Sequence, residues 1–299
     1  MYNVLVTGSS GFLGKVLVSE LVNKGITASG ILADGKRIDI AMPFTLPEAS
    51  YDVVIHAAGK AHAVPRTAEE KQLFYDVNLE GTKNLCHAIN KLSHKPKAFI
   101  FISTVAVYGK ESGLDINEQH PLHGNTPYAH SKILAEQWLT QWALENDIIL
   151  SILRLPLISG PNPPGNLGAM INGIKTGRYV SIGKADARKS TVWAADLVTI
   201  VPALVNLGGI YNLTDGYHPT FKELEAIVYQ AFNKSEPPSI PLWLAKILGS
   251  YGDVVHKNFP LNTDKLNKIT SSLTFDDTKA RRLLGWKPSF VLDKLQETL

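Results

Sequence analysis

The chain has 299 residues, 44% of them hydrophobic and 19% charged, with 30 Lys and Arg against 27 Asp and Glu and a formal charge of +3. That composition excludes a disordered, collagen-like or low-complexity chain, and a charge so small and evenly spread lacks the basic stripe of a nucleic-acid binder. No run approaches the roughly 18 apolar residues of a bilayer span, and the lone Cys86 leaves no internal disulfide, so a cytoplasmic protein with no membrane or nucleic-acid partner is expected.

The first element is a strand at Val4 to Val6, and because Asn3 already opens it no room is left for a signal peptide. Thr7-Gly8-Ser9-Ser10-Gly11-Phe12-Leu13-Gly14 follows and opens a helix over Phe12 to Gly25, with Leu13, Leu17 and Leu21 four apart and Lys24 and Gly25 closing it. A glycine pattern between a strand and a helix is the context of a dinucleotide phosphate loop. Glycine permits the tight turn and the close approach of backbone to pyrophosphate, and the helix start supplies free N–H groups and a positive dipole end. Gly8, Ser10, Gly11, Phe12, Leu13 and Gly14 are therefore assigned to cofactor binding. The acidic residue that selects NAD belongs about 20 residues further on. Leu32 sits nearest that point; Asp34 serves after a small register shift, whereas Lys36 and Arg37 would accommodate a 2′-phosphate, so the reading leans to NAD with NADP as the alternative. Asp39, in the strand-like Arg37 to Ile40, is a candidate for the adenine edge or else a solvated loop carboxylate.

Val53 to Ile55, Phe99 to Ile102 and Ile148 to Leu155 are near-continuous apolar runs separated by helical stretches. Such runs suit strands buried on both faces, so the fold class is α/β, a doubly wound parallel sheet with helices on each side. Between the second and third runs, Asn125-Thr126-Pro127-Tyr128-Ala129-His130-Ser131-Lys132 reads as a helix start, with Thr126 as cap, Pro127 at the first position, and Tyr128 and Lys132 sharing one face. A phenol titrates near pH 10, so acid/base work at neutrality needs a depression of about 3 units, roughly 4 kcal/mol of preferential stabilisation of phenolate, and a neighbouring ammonium has the right sign. His130 is expected to face solvent, Trp138 to Trp142 to form core or a subunit contact, and His120 and His123 to be loop residues, with no metal-binding pattern anywhere. After Gly160 a loop rich in Pro and Gly leads to shorter elements: a strand at Ile210 to Leu213, then a capping box of Thr220 and Glu223 before a helix at Phe221 to Phe232. The expected division is 1–159 plus about 190–213 as the dinucleotide-binding domain, and about 160–189 plus 214–299 as a smaller interleaved C-terminal lobe.

Gly8, Gly11 and Gly14, His56-Ala57-Ala58-Gly59, Asn78 within Val77-Asn78-Leu79-Glu80-Gly81-Thr82, Ser103-Thr104-Val105-Ala106-Val107-Tyr108-Gly109, and Tyr128 with Lys132 stand in one order along the chain. In that order they resemble the extended short-chain dehydrogenase/reductases, in particular the nucleotide-sugar epimerase/dehydratase branch. The resemblance continues through Leu153-Arg154-Leu155-Pro156, Gly160-Pro161, Pro164-Gly165-Asn166-Leu167 and the stretch from Lys279 to Pro288. It implies a Rossmann-type sheet, Tyr128 as acid/base, Lys132 as the residue that binds the nicotinamide ribose and depresses the Tyr128 pKa, and Thr104 as the hydroxyl facing the sugar oxygen, with Ser103 the lesser partner. Ala57, Ala58, Gly59, Asn78, Ser103 and Pro156 would flank the cofactor, Asn78 also bracing the sheet. Asn166 with Arg188 or Lys189 would hold the diphosphate of a nucleotide-sugar substrate. Two departures stand out: Lys189 aligns where relatives carry an arginine, which loses the bidentate fork, and Ser159 replaces a tyrosine beside Gly160-Pro161. The expected activity is hydride exchange at C4 of a nucleotide sugar, as 4-epimerase or 4-keto-sugar reductase, in a possible homodimer. The alternatives are a reductase of a ketone without a nucleotide and a dinucleotide sensor without activity.

Overall fold

Near-continuous apolar runs set the centre of the molecule. The computed structural model describes residues 2–30, 32–33, 36–61, 63–255 and 262–299. Six strands form one sheet: β1 (Asn3–Thr7), β2 (Thr27–Gly30), β3 (Val53–His56), β4 (Ala98–Thr104), β5 (Ile149–Leu155) and β6 (Gly209–Asn212). Their order is β6-β5-β4-β3-β1-β2, every pair parallel. Successive side chains of a strand point to opposite faces, so Val4, Val6, Ile100 and Ile102 join one buried cluster while Leu5, Phe99 and Phe101 join another. The helices α1 (Phe12–Asn23), α2 (Ala68–Tyr75), α3 (Gly81–Ile89), α4 (Pro127–Glu145), α5 (Gly165–Lys175), α6 (Val201–Leu207) and α7 (Phe221–Ala231) cross over between or follow these strands. Leu17 and Leu21 of α1 and Leu204 of α6 cover the first face; Leu85 and Ile89 of α3 with Leu139 and Trp142 of α4 cover the second. This is the doubly wound sheet that the apolar runs imply, with both faces shielded from water.

Local chemistry fixes the helix starts. Thr126 caps α4 by accepting a hydrogen bond from Ala129 N at 3.2 Å, with Pro127 at the first helical position. Thr220 and Glu223 form the expected capping box at the start of α7. Among the described residues, no helix is long and apolar enough to cross a membrane.

One expectation fails at the sheet edge. The strand-like Arg37 to Ile40 shrinks to Lys36–Arg37, which pairs antiparallel with Leu32–Ala33, and Asp39 lies beyond it in an exposed turn where its Oδ1 accepts from Ala41 N at 3.0 Å. A further parallel strand would need a crossover helix to return to β3, and Pro43 and Pro47 leave no helical stretch in 41–52.

Beyond β5 the chain makes small parallel pairs: Leu157–Ser159 with Thr191–Trp193, Ser181–Ile182 with Ser239–Ile240, and Gly113–Ile116 with Leu273–Phe275. A separate cluster of Leu167, Met170, Ile174, Trp193, Leu224, Val228, Val291 and Leu295 packs α5 and α7 together beside them. The loops leaving β1 and β4 reach this half of the chain, where Phe12 lies against Gly160 and the Tyr108 ring stacks on Phe275.

Candidate active site

The loop leaving β1 turns on three glycines with different duties. Gly8 has φ +67°, and a Cβ there would stand 2.7 Å from the backbone N of Ala58. A Cβ on Gly14 would stand 2.1 Å from the Gly8 carbonyl oxygen. Both are demanded by the packing of the protein itself. Gly11 is exposed, its Cβ would meet only Gly8 O at 3.3 Å, and it caps α1 without a side-chain hydrogen bond. No acidic residue occupies the first turn of α1, so the free N–H groups and the positive dipole end stay open toward solvent above a bare glycine. That cradle fits the pyrophosphate of a dinucleotide. Ser10 is exposed beside it, while Phe12 and Leu13 are half-buried; Phe12 lies under Gly160, and Leu13 packs on the core.

Behind the loop, the fully buried His56 joins two segments. Thr82 donates its hydroxyl to Asn78 O at 2.7 Å, so it must accept from His56 Nε2 at 2.9 Å. The other ring nitrogen then carries the lone pair: Thr7 donates to Nδ1 at 2.6 Å and accepts from Ala58 N at 3.1 Å. Burial first, and the Lys132 charge second, lower His56 to about 3, which keeps it neutral in this chain of bonds. Ala57 and Ala58 are thereby held against Gly8.

Asn78 sits in a π-helical turn, Asp76–Glu80, between α2 and α3. The wider turn aims its amide inward. Its Oδ1 accepts from Lys60 N at 2.7 Å, and its Nδ2 donates to Lys60 O at 3.1 Å and to Ser131 Oγ at 3.0 Å. The Asn78 side chain therefore braces the loop after β3 against α4, while its carbonyl is tied to β3 through Thr82 and His56. A Cβ on Gly59 would lie 3.1 Å from Asn78 Oδ1 and 3.3 Å from Lys132 Nζ, which puts these three residues at one point.

Tyr128 and Lys132 do share one face of α4, directed at the end of β4. Burial raises the Tyr128 phenol above its ordinary value, and a hydrogen bond with Thr104 opposes this. Lys132 Nζ donates to Ile102 O at 2.9 Å and lies 4.4 Å from the Phe101 ring centre; burial lowers it to about 8 against the pull of the Glu136 carboxylate. Desolvation outweighs the hydroxyl in its effect on the phenol. Thr104 also accepts from Ala106 N at 3.2 Å, which fixes its side chain at the strand end.

Ser103 is placed differently. Its hydroxyl donates to Glu136, so toward any other group it can only accept. Glu136 forms a buried ion pair with Arg154 at 2.6 Å, and Arg154 continues through Tyr108 to Asn212. Glu136 did not emerge from the sequence reading, although two signals were present: a carboxylate four residues beyond Lys132 on the inward face of α4, and an arginine inside an otherwise apolar strand run, which demands a counter-charge.

The remaining sequence candidates spread out. Asp34 lies outside the described residues. Pro156 is half-buried directly after β5, and Asn166 is exposed in the first turn of α5. Arg188 and Lys189 do not act as a pair: on their extended segment the side chains alternate, Arg188 donating to His218 O at 3.0 Å beside the Tyr217 ring, and Lys189 half-buried. Burial lowers Lys189 to about 8, with Glu111 raising it and Lys268 lowering it. Among the described residues no cluster of His, Cys, Asp or Glu could hold a metal ion. Cys86 is buried on α3, and His130 is exposed with Nδ1 3.2 Å from Tyr75 OH.

Comparison with known proteins gives the same picture. The chain is 26% identical over 98% of its length to the UDP-glucose 4-epimerase of Vibrio cholerae, of which it covers 92%. It is 29% identical over 74% of its length to the GDP-6-deoxy-D-mannose reductase of Pseudomonas aeruginosa, covering 77% of that protein. Its fold matches the structure of RMD from Pseudomonas aeruginosa complexed with NADPH, with a TM-score of 0.78 at 23% identity, over 100% of this chain and 98% of the other. Residues 4–213, which carry the glycine loop, His56, Asn78, Thr104, Tyr128 and Lys132, match the model of the NAD dependent epimerase/dehydratase family, and the chain belongs to that family of nicotinamide-dependent enzymes.

Proposed function

We propose that the protein exchanges a hydride at C4 of a nucleotide-diphosphate sugar, as a 4-epimerase or a 4-keto-sugar reductase, with Tyr128, Lys132 and Thr104 as its catalytic residues. The observation that carries this reading is the hydroxyl pair of Thr104 and Tyr128, set at a strand end with Lys132 behind it and the glycine cradle nearby. The two relatives named above act on a UDP-sugar and a GDP-sugar, one as epimerase and one as reductase, which supports the nucleotide diphosphate as the common part of the substrate.

Gly8, Gly11, Gly14, Ala58 and Asn78 would hold the dinucleotide, whose nicotinamide, when bound, accepts or returns the hydride. Tyr128 takes the hydroxyl proton during oxidation at C4 and gives it back during reduction. Thr104 donates a hydrogen bond that favours the phenolate and orients the reacting oxygen. With its midpoint near 8, Lys132 is mostly protonated at pH 7, and its positive charge favours loss of the Tyr128 proton. Lys189, the half-buried cation, is the better candidate for the diphosphate, because the Arg188 guanidinium is already engaged on the surface. It binds as a point charge without a fork.

The test is turnover of UDP-, GDP- and dTDP-linked hexoses and 4-keto-6-deoxy hexoses with NAD and NADP(H), followed by product analysis. Tyr128→Phe should lower kcat by about a hundredfold or more while cofactor affinity stays near that of the wild type. In the same assay Lys189→Ala should raise KM more than it lowers kcat, and Arg188→Ala should alter neither. Substantial turnover by Tyr128→Phe would refute the assignment.

A further inference from the structure

Glu136 stands one helical turn beyond Lys132 and two beyond Tyr128, on the same inward face of α4. Its carboxylate is buried and receives only donors: Arg154 Nε at 3.2 and 3.3 Å, Arg154 Nη2 at 2.6 Å, and the Ser103 hydroxyl. No acceptor for a carboxyl proton is among these partners, and one of them is the charged guanidinium. Ser103 is the immediate neighbour of Thr104, and the carbonyl that Lys132 grips belongs to Ile102, so Glu136 and Lys132 clamp the last three residues of β4 from one helix. The network continues outward. Arg154 Nη1 donates to Tyr108 OH at 3.2 Å, Tyr108 OH donates to Asn212 Oδ1 at 2.7 Å, and Asn212 Nδ2 donates to Ile116 O at 3.0 Å and Asp276 O at 3.3 Å.

We propose that Glu136 is a positioning residue for the reaction at Tyr128: its carboxylate supplies the counter-charge of Lys132 and pins the strand end that carries Thr104. The inference rests on the catalytic reading of Tyr128 and Lys132. An ammonium so deeply buried tends to lose its proton, and desolvation does lower Lys132, with Glu136 as the group that opposes it. The groups around Lys132 are few. Its own helix brings Tyr128 and Glu136, β3 brings His56, which is neutral, β4 brings the Ile102 carbonyl and the Phe101 ring, Asn78 adds an uncharged amide, and Arg154 on β5 acts through Glu136. Glu136 is thus the one carboxylate in the set. A pair of Glu136 and Arg154 that served stability alone would be replaceable by an apolar pair of similar volume without any change at Lys132.

The experiment reads the Lys132 titration directly, by NMR of carbon-labelled lysine side chains, with Lys132→Met assigning the signal. It also reads the alkaline limb of kcat/KM. Glu136→Gln should move the Lys132 midpoint down by about one pH unit, and the alkaline limb with it. Leaving Arg154 buried without its partner is destabilising, so the double variant Glu136→Gln with Arg154→Met provides a folded alternative and should show a smaller displacement in the same direction, since loss of the Arg154 charge favours the ammonium. Glu136→Asp, which keeps the charge, should restore most of the midpoint. Tyr108→Phe cuts the network beyond Arg154 and should lower Tm without moving the midpoint. A Lys132 midpoint unchanged in Glu136→Gln and in the double variant, or moved equally by Tyr108→Phe, would overturn the proposal. The NMR readout needs no turnover, so failure of the catalytic reading would show separately, as Lys132 displaced by Glu136→Gln in an enzyme indifferent to Tyr128→Phe.

Discussion

His56 ties the β1 loop to Asn78 with a single arrangement of protons: donor at Nε2, acceptor at Nδ1. Protonation would force a second donor against the Thr7 hydroxyl and place a charge between Phe99 and Phe101. Its folded midpoint of about 3 lies below the ordinary 6.5, so between these values the unfolded chain binds more protons and stability rises with pH. Stability from this residue is complete above about pH 6.5 and falls by up to about 1.4 kcal/mol for each unit of acidification toward pH 3. Urea unfolding from pH 7 to pH 4 measures it, with His56→Gln expected to flatten the slope by about one proton. An identical slope in the variant would remove His56 as the cause. At this scale the proposed catalytic residues stood out in the sequence because the spacing of Tyr128 and Lys132 is local and Thr104 ends an apolar run. The Glu136 and Arg154 pair was not, since its members are 18 residues apart on a helix and a strand and meet only in the folded chain. The hydroxyl direction of Ser103 was equally hidden, because nothing local distinguishes it from Thr104.

α4 carries Tyr128, Lys132 and Glu136 at successive turns, so its first turn determines where Tyr128 stands. Thr126 is its only side-chain cap, bonded to Ala129 N. Thr126→Ala should cost about 1 kcal/mol in stability. It should also lower kcat more than it weakens cofactor binding, because Lys132 sits a turn deeper, held by Ile102 O. Thermal unfolding and steady-state kinetics check both; loss of cofactor affinity with unchanged kcat would mean that the first turn does not set the Tyr128 position. Helices with caps and strands with apolar runs were read correctly from sequence for the same reason, that their signals lie within a few residues. Two elements were not. The π turn at Asn78 has no local signature, being an extra residue accommodated by tertiary contacts to Lys60 and Ser131. The hairpin of Leu32–Ala33 with Lys36–Arg37 displaced an expected strand, and with it the place of Asp39.

In the whole molecule, the strand order reverses at β1, with β2 on one side and β3 on the other, and the Gly8 turn lies against Ala58 at that reversal. Ligands of open parallel sheets bind at such a point, beyond the carboxyl ends of the strands. From there β4 and β5 lead to Thr104, Ser103 and Arg154, and Asn212 at the end of β6 links them to the loops at Ile116 and Asp276. Fold class and the glycine turn were visible in the order of motifs, whereas the separation of Arg188 from Lys189 was not, since the pair reads as one unit until the extended backbone turns its members apart. The central claim, hydride exchange at C4 with Tyr128 as the proton carrier, is tested most directly by isotope. Enzyme saturated with oxidised cofactor is mixed in a single turnover with UDP- and GDP-hexoses deuterated at C4, and the cofactor and sugar are recovered for mass spectrometry. Deuterium should appear on the reduced cofactor, or return to C4 in the epimer without exchange into water, and Tyr128→Phe should abolish both. Deuterium released to solvent, or transfer that persists in Tyr128→Phe, would contradict it.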